Sequence, residues 1–169
     1  MDDAELTHKL MSLELFGGLE HDQVEKITRS CTKRTLAPGE VLSEAQSVDD
    51  RLWVFLEGAL HVESADGVLL SLVTDVRIFG EMGVLVGLTR SSRVVADQES
   101  RILELTGEAL QGLVEEDPDL AQRMLANLCM LLYSRLRGAN QEIEGLRGSR
   151  DQLRTRLAEV APDGPLIKG

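Results

Sequence analysis

Only two cysteines, Cys31 and Cys129, occur in the 169 residues, and they stand far apart. They build neither a disulfide framework nor a metal-ligand spacing, so the plain expectation is a reduced, cytoplasmic protein. No apolar run approaches the roughly 18 residues of a membrane span. The first residues, MDDAELTHKL, lack the basic-then-apolar order of a secretory signal, and no membrane partner is expected. Catalytic signatures are missing as well. There is no GxSxG, HExxH or P-loop pattern, and the three histidines, His8, His21 and His61, are scattered. Bases are outnumbered, 18 against 29 acids, for a net charge of −11. Duplex DNA is a dense polyanion that requires a basic patch, and the late arginines (Arg135 to Arg156) are interleaved with acids and glutamines, so no DNA partner is expected.

What remains is a chain 43% hydrophobic and 28% charged, the composition of a globular domain with a real core and one extension. Leu6, Leu10, Leu13, Val24 and Ile27 recur at helical spacing through residues 1–34, interrupted at Gly17 and Gly18. Over residues 35–106 the texture changes to short apolar or alternating runs (VLSEA, RLWVFLEG, LHVES, VLLSLV, RVVADQ, RILEL) separated by turn signals. Six or more such runs predict an antiparallel sandwich or barrel, with Asp66-Gly67 the strongest hairpin signal.

Residues 107–161 return to helical patterning. Thr106 is placed to start one helix, and Asp117-Pro118 ends it and opens a longer one. Two series then hold a seven-residue repeat: Cys129, Leu136, Ile143, Arg150, Leu157, and Leu125, Leu132, Ala139, Leu146, Leu153, Val160. Such a stripe, kept up through Gly138, Gly145 and Gly148, predicts a coiled coil with the same helix of a second chain. Residues 162–169 read as a disordered tail.

The stretch FGEMGVLVGLTRSS, residues 79–92, sets Glu81 and Arg90 at the two ends of an apolar run, with Gly80 and Gly83 beside the acid. Glu81 has no carboxylate partner in sequence for glycoside hydrolysis, so binding is expected rather than catalysis. A guanidinium suits a phosphate, a carboxylate accepts from sugar hydroxyls, and glycines let backbone N–H groups approach the same anion.

Phe79, Gly80, Glu81, Met82 and Gly83, followed by Arg90, Ser91 and Ser92, resemble the phosphate-binding cassette of the cyclic nucleotide-binding domain family. LFGGL at 15–19, LAPGEVL at 36–42 and RLWVFLEGALHV at 51–62 extend the resemblance, in order, over about residues 14–135. Thr89 stands where proline is common, and Arg93 where threonine is common.

The resemblance implies an α+β fold: an antiparallel jelly-roll barrel flanked by N-terminal helices and a long C-terminal helix. It implies that Glu81 accepts from the ribose 2′-hydroxyl, and that Arg90 pairs with the cyclic phosphate, helped by N–H groups around Met82 and Gly83. Ser91 would touch the phosphate and influence purine choice. Cyclic AMP, the commoner ligand of bacterial members, is expected over cyclic GMP. The function expected is a dimeric, non-enzymatic sensory module acting on a protein partner. The alternatives are a scaffold of the same fold that has lost its ligand, or a cyclic dinucleotide receptor.

Overall fold

The computed structural model describes residues 3–160. The chain falls into two units, residues 1–127 and residues 128–169.

The first unit opens with helix α1 (Asp3–Met11), a 3₁₀ turn (Glu14–Phe16) and helix α2 (His21–Ser30). Eight strands follow: β1 (Thr32–Leu36), β2 (Val41–Ser43), β3 (Arg51–Glu57), β4 (Leu60–Glu63), β5 (Leu69–Val73), β6 (Arg77–Phe79), β7 (Arg93–Ala96) and β8 (Ser100–Thr106). A short helix, α3 (Glu81–Val86), lies between β6 and β7. Helix α4 (Gly107–Glu116) follows β8, and α5 (Pro118–Val160) runs on into the second unit.

The strands form two antiparallel four-stranded sheets, ordered β1-β8-β3-β6 and β2-β7-β4-β5. This is the expected jelly-roll arrangement, opened out. Instead of closing into a barrel, β1 and β6 of one sheet and β2 and β5 of the other pair with a single neighbour each.

Alternation along β3 explains how the sheets are glued. Trp53 and Phe55 point into one cluster with Leu36 and Ile102 of their own sheet and Leu42, Leu60, Val73, Val94 and Ala96 of the other. The intervening Leu52 and Val54 must face the opposite way. They are also buried, paired across the ladder with Leu105 and Leu103. β3 is therefore apolar on both faces, because the helical layer supplies a second core: Leu6, Leu10, Phe16, Val24, Ile27, Leu110, Leu120 and Met124 are all buried. Burial of each such side chain contributes about 1.5–3 kcal/mol before the cost of ordering the chain.

Local chemistry sets the joints. Gly67 adopts φ +77° in the β4–β5 turn, where its N–H donates to the Ser64 carbonyl at 3.0 Å. The Thr106 hydroxyl accepts from the Ala109 N–H at 3.2 Å and starts α4. Asp117 ends α4, and its side chain accepts from the Leu120 N–H at 3.0 Å to start α5. Gln23 donates to the same aspartate at 2.9 Å, and Asn127 donates to the carbonyls of Leu15 and Gly17, tying the N-terminal elements to α5 within the first unit.

The second unit, as far as it is described, is the distal part of α5, helical through Gly138, Gly145 and Gly148 to Val160. The tail expected from Pro162 lies outside the described residues.

Candidate functional site

β6 ends at Phe79, which pairs with Trp53 of β3 and packs against the inter-sheet cluster. Gly80 then turns the chain with φ +83° and serves as N-cap of α3. The apolar run after Glu81 thus becomes a six-residue helix, a segment too short to show helical periodicity in the sequence. Its later residues are not a dry lining, since Val86 and Leu88 are exposed. The first N–H groups of a helix have no acceptor within it, so the backbone around Glu81, Met82 and Gly83 offers donors.

Glu81 and Arg90 are both buried polar residues, 3% and 6% exposed. The Arg90 guanidinium is boxed in. Its Nη1 donates to the Gly80 carbonyl at 2.8 Å, and its Nη2 donates to the Arg51 carbonyl. Asp49 Oδ1 lies 3.3 Å from Nη2. One face of the guanidinium lies over Trp53, with Cζ 4.3 Å from the ring centroid, a cation–π geometry. The ring is itself fixed, because Trp53 Nε1 donates to Glu104 at 2.9 Å, and Arg34 donates to the same carboxylate at 3.2 Å. Burial lowers the Arg90 pKa from the ordinary arginine value, opposed by the charges of Asp49 and Glu81. Arg90 Nε is buried, and among the described residues it has no hydrogen-bond acceptor.

The glycines beside the acid have a structural purpose distinct from reaching a ligand. A Cβ on Gly80 would overlap Arg90 Nη1, and one on Gly83 would stand 2.9 Å from the same atom and 2.8 Å from the Asp49 carbonyl. Both glycines admit the guanidinium against the backbone at the start of α3.

The remaining cassette residues are less engaged. Ser91 is exposed, its hydroxyl 3.3 Å from that of the half-buried Ser92. Met82 is half-buried in α3. Arg93, which stands where threonine is common in the family, is paired with Glu63 at 2.7 Å and Glu44 at 3.2 Å. The sequence reading missed Asp49, Arg51 and Trp53. Asp49-Asp50 reads as a turn and Trp53 as core, and only the fold brings them to Arg90 across some forty residues.

Among known proteins, residues 33–117 match the cyclic nucleotide-binding domain family, half of the chain. Glutaminase 1 of Bradyrhizobium diazoefficiens is 33% identical over 138 residues, 82% of this chain and 22% of that protein. The chain spans only about a fifth of the length of the curated relatives of this kind. Of the solved structures, the N-terminal domain of a transcriptional regulator from Streptomyces coelicolor A3(2) superposes with a TM-score of 0.67 at 27% identity, covering 80% of this chain and 94% of that one. The catabolite activator protein of Thermus thermophilus gives 0.68 at 27% identity, covering 86% and 67%. Fold, cassette order and family match agree, and the chain belongs to the cyclic nucleotide-binding domain family.

Proposed function

We propose that this chain is a sensory module, without enzymatic activity of its own, that binds a cyclic mononucleotide and passes occupancy to a protein partner. Arg90 takes the cyclic phosphate, with backbone N–H groups around Met82 and Gly83, and Glu81 accepts from a ribose hydroxyl. The observation that carries this reading is the buried Nε of Arg90: a charged donor with no acceptor among the described residues, on a guanidinium whose Nη1 and Nη2 donate to the carbonyls of Gly80 and Arg51. A buried unmet donor of a charged group is costly, and an anionic ligand relieves that cost. The family match over residues 33–117 and the short span of the chain against the glutaminases fit a module that serves a larger system.

Cyclic AMP is the favoured ligand. Discrimination of guanine through the Ser91 hydroxyl rests on one neutral hydrogen bond, about 0.5–1.5 kcal/mol, and so gives no more than about tenfold. The module dimerises through the distal part of α5, where the apolar stripe of the heptad pattern is exposed.

Isothermal calorimetry with cyclic AMP, cyclic GMP and a cyclic dinucleotide tests the reading. Wild type binds a cyclic mononucleotide. Arg90→Ala weakens binding by about 2–5 kcal/mol, the cost of removing one member of a buried charge pair. Glu81→Ala costs less, because a sugar hydroxyl is neutral. A folded wild type that binds none of the three is instead the ligand-free scaffold, a reading favoured by the Asp49 countercharge already beside Arg90.

A further inference from the structure

We propose that Asp49 is the positioning residue for Arg90, and that it acts through the main chain of Arg51. The inference rests on the reading that Arg90 takes the phosphate, and it explains why that arginine stands in one place before any ligand arrives. Asp49 Oδ1 accepts from the Arg51 N–H at 2.9 Å, which pins the first residue of β3. The same oxygen lies 3.3 Å from Arg51 Nε and 3.3 Å from Arg90 Nη2. The carbonyl of Arg51, so pinned, accepts from Arg90 Nη2. One carboxylate oxygen thus fixes the residue that grips the guanidinium and also supplies its countercharge.

The surroundings leave the guanidinium little freedom. Trp53, two residues along β3, covers one face, and the backbone at Gly80 and Gly83 closes against Nη1. The Asp49 carbonyl stands where a Cβ on Gly83 would come within 2.8 Å, so the loop before β3 is itself packed on α3. Nη1 and Nη2 each have a protein acceptor, and Nε is the buried guanidinium nitrogen without one among the described residues. Holding a long, rotamer-rich side chain ready lowers the ordering cost that binding must otherwise meet.

Two effects of Asp49 oppose one another. Its hydrogen bond to Arg51 organises Arg90, whereas its negative charge repels an incoming anion. Asp49→Asn keeps an oxygen acceptor for the Arg51 N–H and removes the charge. Asp49→Ala removes both. The geometric role therefore separates the two variants.

The experiment measures cyclic AMP and cyclic GMP affinity of the full chain alongside fluorescence of the ligand-free protein. Trp53 is the only tryptophan, so its emission reports the guanidinium stacked on it. Asp49→Ala is expected to weaken binding by about tenfold, the equivalent of one hydrogen bond, and to shift tryptophan emission before ligand is added. Asp49→Asn is expected to bind at least as tightly as wild type with wild-type emission. An Asp49→Ala protein with wild-type affinity and emission overturns the proposal, as does an Asp49→Asn protein as weak as Asp49→Ala. If wild type binds neither nucleotide while Asp49→Ala alone shifts the emission, the ligand reading fails and the positioning of Arg90 by Asp49 stands.

Discussion

A methyl group on Gly80 would meet Arg90 Nη1 and stand 2.5 Å from the Arg51 carbonyl, at a residue whose φ is +83°. The left-handed conformation alone costs a non-glycine residue about 1–2 kcal/mol. The overlap adds to this, because the Arg51 carbonyl belongs to a paired strand and cannot retreat, so Arg90 must leave instead. Gly80→Ala is therefore expected to lower stability in urea by at least about 1 kcal/mol and to shift Trp53 emission as the guanidinium moves off the ring. A variant with unchanged stability and emission would show that the box around Arg90 is looser than its distances indicate. At this scale the sequence is informative about charge and silent about neighbours. Glu81 and Arg90 are visible as an acid and a base framing an apolar run. Asp49 and Trp53 are not, because hydrophobic patterning assigns one to a turn and the other to a core, and nothing local ties either to residue 90.

Elements whose ends are set by side chains close in sequence are legible, and those set by long-range pairing are not. The turn at Asp66-Gly67, the Thr106 cap and the Asp117-Pro118 break each depend on hydrogen bonds spanning four residues or fewer. α3 is six residues long and its existence depends on the Gly80 turn, so periodicity does not reveal it. Strand order, with β8 between β1 and β3, follows from which apolar faces fit together. β5 shows the limit in another way. It is an outer strand of its sheet, with Leu70 and Leu72 exposed at 57% and 68%, although an apolar run reads as buried. Outer strands with apolar exposed residues are prone to aggregation, and lysine is a common natural guard. Leu72→Lys should change stability by no more than about 0.5 kcal/mol and reduce the light scattered after heating. A loss several times larger would mean that this face of β5 is covered in solution.

Charge is divided unevenly along the whole chain. Residues 1–127 carry 24 acids and 11 bases, whereas residues 128–169 carry 5 acids and 7 bases. The near-neutral segment is the one with an apolar stripe: Leu136, Ile143, Leu146 and Leu153 are 47–65% exposed along α5. From Cys129 to Val160 the helix extends about 48 Å, more than four heptads. A lone helix bearing three glycines, each costing about 1 kcal/mol relative to alanine, gains little from solvent for keeping such a stripe. Two copies aligned along it would bury the leucines, and Glu142 and Arg147 stand at positions where opposite charges meet across a parallel pair. Removing residues 138–169 deletes Ile143, Leu146, Leu153 and Leu157 together while leaving the sheets and the buried helical residues from Leu6 to Met124 intact. The full chain is expected to run as a dimer in light scattering, and the shortened protein to keep its thermal unfolding transition and run as a monomer at the same concentration. If the shortened protein remains fully dimeric at low micromolar concentration, the seam lies upstream of residue 138 and the stripe beyond it on α5 has another partner.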